Sequence, residues 1–367
     1  MAKELELYIH IPFCVRKCRY CDFLSAPAEE EEREKYVKEL CQKIRSYNDF
    51  AQSYHVSSIF VGGGTPSLLE GEQMERIFNA VRETFLVDSW AEITVEVNPG
   101  TISEEKLKSY KKAGINRLSI GLQSTNDEEL KYLGRIHTYK MFVHTYQMAR
   151  VSGFSNINVD LMSAIPFQTL ESYKKTLRTV AELVPPPEHI SAYSLIIEEG
   201  TPFYERYGKG CHAEELPTEE EERQMYVETK KILEEYGYIR YEISNYAKKG
   251  FECRHNLGYW NRTQYLGIGM GASSFIGNRR WREGEEPEIL TQKEEMEEFM
   301  FLGLRKMEGV SEIDFRNSFQ KELQDVYGLV IQELEGKGLL AKNGNYWMLT
   351  ERGIDVSNYV MSEFLLS

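Results

Sequence analysis

The sequence predicts an α/β fold: an open partial (β/α)6 barrel followed by a small C-terminal helical domain. Three observations predict it. Six short apolar runs recur along the first part of the chain, helix-like segments separate them, and the pattern changes near Glu294. Short runs rich in Ile, Val, Leu and Tyr read as buried parallel strands. Strand–helix units in series imply a parallel sheet with helices outside it. Six units fall short of the eight that close a barrel, so the sheet is expected to stay open and curved.

The expected strands are Leu5–Pro12, Ser57–Val61, Glu92–Val97, Arg117–Leu122, Asn156–Met162 and Ile190–Ile197. Several helix ends between them are readable. Asn126 with Glu129 reads as an N-cap with its capping-box partner. Gly114 and Gly153 sit where left-handed C-terminal caps form. Thr169 caps a helix that the Pro185–Pro187 run must stop. Thr218 caps another, with Glu221 as box partner. The acidic runs Glu219–Glu222 and Glu29–Glu32 read as first helical turns favoured by the macrodipole, not as docking patches. Beyond Glu294, helices are expected over Glu294–Lys306 and Glu312–Phe319. Leu339–Leu349 reads as a short hairpin turning near Asn343–Gly344, an arrangement compatible with a winged helix. The expected division is residues 1–240 for the barrel, 241–293 for a connecting segment and 294–367 for the C-terminal domain.

Of the 367 residues, 41% are hydrophobic and 28% charged, which suits a packed core rather than disorder. The formal net charge of −14 argues against a general binder of nucleic acid or anionic membrane. Arg279, Arg280 and Arg282 are one candidate for a local basic site. No apolar stretch approaches the roughly 20 residues of a membrane span, and the N-terminus lacks a signal peptide's apolar run, so a cytoplasmic protein is expected.

The six cysteines do not suggest a disulfide framework. Cys14, Cys18 and Cys21 form a C-x3-C-x2-C loop directly after the first expected strand. Closely spaced thiolates hold iron–sulfur clusters, and three leave one iron of a four-iron cluster open. The amino and carboxylate groups of S-adenosylmethionine can chelate that iron, and an electron from the cluster can then cleave the sulfonium. A zinc site would need a matched second pair of ligands, which the sequence lacks. Cys41, Cys211 and Cys253 are not clustered and read as ordinary thiols.

The segments Tyr8-Ile-His-Ile-Pro-Phe-Cys14 and Cys21-Asp-Phe23 resemble the HemN/HemW branch of the radical S-adenosylmethionine superfamily, and the resemblance continues over nearly the whole chain. It implies that the barrel is a radical S-adenosylmethionine core. It also implies that Gly63, Gly64 and Thr65 of the Gly62–Pro66 turn meet the amino group of S-adenosylmethionine. Glu96 matches the ribose-binding acid, whose two oxygens suit two hydroxyls. Gln123, Arg135 and Asp160 match further contacts to that cofactor, with Arg135 paired to its carboxylate. Tyr8 and Tyr20 are expected around the cluster and adenine. As plain sequence, each of these polar residues could equally be a buried, hydrogen-bonded core residue.

Within the branch, two features favour a heme chaperone over the oxygen-independent coproporphyrinogen III oxidase. The oxidases carry an additional cysteine where Phe23 stands, and a longer N-terminal extension that serves catalysis. A third feature, His255-Asn-Leu-Gly-Tyr259-Trp260, resembles a motif associated with heme binding. The resemblance implies His255 as a candidate axial ligand and Tyr259 and Trp260 as walls of the macrocycle. It implies heme, an apo-hemoprotein acceptor and an electron donor of reductase, flavodoxin or ferredoxin type as partners. An oxidase-like decarboxylating enzyme is the alternative, so whether the chain is an enzyme stays open. A radical methyltransferase finds no support in the residues. Two positions depart from the branch: Ser273 stands where histidine is usual, and Phe167 where glycine is usual.

Overall fold

The structure is a computed structural model, and it describes residues 2–366. The six expected strands form as β1 (Lys3–Ile11), β2 (Tyr54–Gly63), β3 (Leu86–Val97), β4 (Arg117–Gln123), β5 (Ile157–Ser163) and β6 (His189–Ser194). They lie side by side in chain order and pair in parallel. All seven residues of β4 are buried, as a central strand covered on both faces requires. Helices such as Glu30–Ser46, Gly71–Thr84 and Leu170–Ala181 bury their apolar stripes against one face of this sheet.

The sheet is larger than six strands. Beyond β6 come the short antiparallel strands β7 (Ile239–Arg240) and β8 (Asn245–Ala247). At the other edge β9 (Tyr265–Ile268) pairs in parallel with β1, and β10 (Ser273–Ile276), β11 (Arg279–Arg282) and β12 (Glu288–Ile289) extend it antiparallel. The full order is β12-β11-β10-β9-β1-β2-β3-β4-β5-β6-β8-β7, so the curved sheet ends on two edges and stays open.

Two local readings need correction. β6 stops at Ser194 rather than Ile197, because its neighbour β8 pairs only through His189–Ser191 and the chain then leaves the sheet. Glu129 is not the box partner of Asn126. Asn126 accepts from Glu128 N, while the Glu129 carboxylate turns inward to accept from Ser124 and Gln168 at 2.6 and 2.9 Å. Thr169 and Thr218 cap as read, the latter in a full capping box with Glu221. Gly114 and Gly153 take positive φ.

The C-terminal elements run helix Gln292–Gly303, β13 (Val310–Ser311), helices Glu312–Phe319 and Leu323–Gly336, then β14 (Leu340–Asn343) and β15 (Tyr346–Leu349). With sheet order β13-β15-β14 this is the layout of a winged helix, packed on its own core of Met300, Phe315, Tyr327, Trp347 and Phe364. Among the described residues no helix is long and apolar enough to cross a membrane.

Candidate functional site

The C-terminal ends of β1–β6 surround a cavity of about 350 Å³. The loop after β1 forms one wall. Cys14 N donates to Ala26 O at 3.1 Å, Arg19 N to Leu133 O at 3.0 Å, and Arg16 Nη2 to Gly134 O at 2.8 Å. So anchored, the loop turns all three thiols of Cys14, Cys18 and Cys21 to the cavity, and none of Cys41, Cys211 and Cys253 lines it. Burial pushes the Cys14 and Cys21 thiols above their usual range, a cost that a metal removes by binding the thiolate.

The Gly62–Pro66 turn forms the next wall. Gly63 has φ 113°, and its amide donates to Glu96 Oε2 at 3.1 Å. A Cβ on Gly64 would lie 2.4 Å from Phe13 O, so only glycine lets this turn sit against the cysteine loop. Thr65 is buried and accepts from Asn98 Nδ2 at 2.7 Å.

Two acids face the interior. Burial and the nearby Asp160 push the Glu96 carboxyl up to about 8. Asp160 is also raised by burial, against hydrogen bonds from Asn158 (2.8 Å) and Ser119 (3.1 Å). Arg135 fills the floor. Its Nη2 donates to Gly121 O (2.6 Å), Gln123 Oε1 (2.5 Å) and Asn98 Oδ1 (3.1 Å), and its Nη1 lies 3.6 Å from Cys18 Sγ. Its Nε has no partner. Gln123 takes φ 70° at a register shift between β4 and β5, which aims its amide into the cavity. Tyr20 and Tyr193 also line the wall. Tyr193, Asn98 and Ser119 were not singled out from sequence, although Tyr193 obeys the same strand-end rule as Glu96.

The cavity fits a cluster with S-adenosylmethionine. Among the described residues three thiols converge without a fourth, Glu96 accepts only from the Gly63 amide, and a buried guanidinium nitrogen of Arg135 is unpartnered.

A second cavity, of about 940 Å³, adjoins the first and shares Lys17, Asp22 and Phe23 with it. Tyr259 and Trp260 line it, as do Phe275, Phe301, Arg280 and Arg282. Arg279 does not, because alternation along β11 sends it to the other face. Tyr8 lies here rather than beside the thiols, on the same strand face as His10, whose Nδ1 is 3.1 Å from the Tyr8 hydroxyl. Ser273 also sits on this wall.

His255 does not reach either cavity. It sits on helix Arg254–Trp260, 1% exposed, stacked on Phe60 with ring centroids 5.3 Å apart. Burial and Arg117 push its imidazole down to about 3, so it is neutral. Phe167, the other departure, has φ 62° and is half exposed with its ring 4.7 Å from Tyr132.

The chain matches the radical SAM superfamily over residues 8–180 and the HemN C-terminal domain over residues 290–356. A protein named heme chaperone HemW from Lactococcus lactis is 35% identical over the whole chain and 98% of the relative. Its namesakes from Bacillus subtilis and Escherichia coli are 37% and 36% identical, each over 98% of both chains. The chain belongs to the HemW family of radical S-adenosylmethionine proteins. The crystal structure of Escherichia coli HemN, a coproporphyrinogen III oxidase, superposes with a TM-score of 0.86 at 24% identity, covering 99% of this chain and 90% of that one. At that identity the likeness shows the fold alone. Membership of the HemW family implies a four-iron cluster and S-adenosylmethionine for this chain, and the cavity beside Cys14, Cys18 and Cys21 has the donors for both.

Proposed function

We propose that this protein is a heme chaperone: it holds heme in the larger cavity and passes it to an acceptor hemoprotein. The observation that carries the reading is the 940 Å³ cavity itself, at the upper end of the range for ligand sites and walled by Trp260, Phe275 and Phe301. Flat aromatic walls suit a flat apolar macrocycle. The heme propionates need cations. Arg262 and Arg280 are already neutralised by Glu298 and Glu295, whereas Arg282 and Lys17 line the cavity without an ion-pair partner among the described residues.

In the smaller cavity, Cys14, Cys18 and Cys21 would hold the cluster. Glu96 and Asp160 would accept from ribose hydroxyls, Arg135 would offer its free edge to a carboxylate, and the Gly63–Thr65 turn would take the amino group. Gln123 orients Arg135, and Tyr20 would wall the cofactors. The bound cofactors supply one-electron reductive chemistry, given a one-electron donor protein.

The second reading is the oxidase-like enzyme. It is favoured by the junction at Lys17, Asp22 and Phe23, where a tetrapyrrole side chain could approach the smaller cavity. Hemin titration with cavity variants separates the readings. Trp260→Ala and Arg282→Glu should each weaken hemin binding about tenfold or more, the size of a lost packing surface or charge-assisted bond. Unchanged hemin affinity in both variants removes heme from this cavity.

A further inference from the structure

We infer that His255 is a positioning residue for Tyr259, not a ligand to heme iron. Four side chains form a buried line from the barrel interior to the wall of the larger cavity. Ser58 Oγ lies 3.0 Å from Glu6 Oε1, and burial raises the Glu6 carboxyl to about 9, so the acid holds a proton and either group can donate. His255 Nδ1 lies 2.8 Å from Ser58 Oγ, and Nε2 lies 3.0 Å from the Tyr259 hydroxyl. In either neutral tautomer the one lone pair with which His255 could ligate iron is therefore engaged, by Ser58 at Nδ1 or by Tyr259 at Nε2.

Access points the same way. The ring is stacked on Phe60 on one side and edged by Tyr259 on the other. The His255 amide is held 3.3 Å from Glu92 Oε1, which fixes the start of the helix. A Cβ on Gly258 would lie 2.1 Å from Glu6 Oε1, so the helix backbone packs directly against the same acid. What reaches the cavity is Tyr259, held at i+4 on the same helix face and braced edge-on against Tyr265 at 4.7 Å. His255 thus acts on bound heme through the placing of the Tyr259 ring.

The heme arm of the test rests on the chaperone reading; a second arm does not. In the heme-free protein, nitration of Tyr259 by tetranitromethane is followed by mass spectrometry. It should be slow in the parent and in His255→Gln, whose amide keeps an acceptor for the phenol, and several-fold faster in His255→Ala. With hemin, His255→Ala and Tyr259→Ala should each lose roughly tenfold in affinity, and the double variant no more than either alone, because both remove the same placed ring. His255→Gln should keep the parent's Soret position and electron resonance spectrum. Loss of that ligand signature in His255→Gln, with its retention in Tyr259→Ala, overturns the inference, as does an unchanged nitration rate in His255→Ala. A parent protein that takes up no hemin defeats the chaperone reading, and the nitration rates then decide the positioning role alone.

Discussion

Replacing Glu96 by Gln should make the cofactor-free protein more stable at neutral pH while it weakens S-adenosylmethionine binding. The Glu96 carboxyl is raised from the ordinary 4.5 to about 8 by burial and by Asp160. Between those two values the folded chain holds a proton that the unfolded chain has already released. Stability must therefore fall as pH rises through this window, and the loss is complete above about 8. One fully expressed proton corresponds to about 1.4 kcal/mol per pH unit. The cavity is open to solvent, so about half of that, roughly 0.7 kcal/mol per unit, is the reasonable expectation. From about pH 5.5 to 7.5 the parent should thus lose on the order of 1.4 kcal/mol relative to Glu96→Gln. Urea unfolding of both proteins across that range measures the difference directly. Parallel pH profiles for the two proteins would refute the reasoning, since every other titrating group is common to both. The binding side has the opposite sign: the parent's affinity for S-adenosylmethionine should rise with pH toward 8, because ribose hydroxyls donate to the ionised carboxylate.

Other perturbations are equally specific. Replacing Cys14, Cys18 and Cys21 by Ala should abolish reconstitution of a cluster with about four irons per chain, while Cys41→Ala and Cys211→Ala keep it, as iron and sulfide analysis will show. Arg135→Ala should weaken S-adenosylmethionine binding tenfold to a hundredfold by calorimetry, the range expected when a charged hydrogen-bond partner is lost at roughly 1.5–3 kcal/mol. Phe167→Gly should be more stable than Phe167→Ala by about 1 kcal/mol in chemical denaturation, because the residue sits at φ 62°. Gly258→Ala should cost about 1–3 kcal/mol through its clash with Glu6, read by the same assay.

The parallel strands were legible because buried strands carry short apolar runs, as Ile59-Phe60-Val61 does in β2. The cysteine loop was legible because three thiols at that spacing have few other uses. The extension β9–β12 was not: its strands are two to four residues long and interrupted by Gly269, Gly271 and Gly277, so no period can build up. The site of Tyr8 could have been read, since alternation puts it on one face with Glu6 and His10. The setting of His255 could not. The sequence shows the motif, but only the packing of its helix over Ser58, Phe60 and Glu6 reveals that the ring faces the barrel interior. Glu129 shows the same limit. Its spacing from Asn126 fits a capping box, yet Gln168 and Ser124, distant or unremarkable in sequence, claim its oxygens.

The most direct test of the account is a heme hand-over made with one anaerobic preparation. The protein, carrying its cluster, is loaded with hemin to saturation, freed of excess, and mixed with an apo-hemoprotein whose holo spectrum is distinct. A parallel sample receives reduced cluster, S-adenosylmethionine and coproporphyrinogen III. The account predicts a saturable Soret shift at about one heme per chain, growth of the acceptor's holo spectrum, and no protoporphyrinogen IX. Turnover of coproporphyrinogen III dependent on S-adenosylmethionine, with no saturable hemin binding, would contradict it.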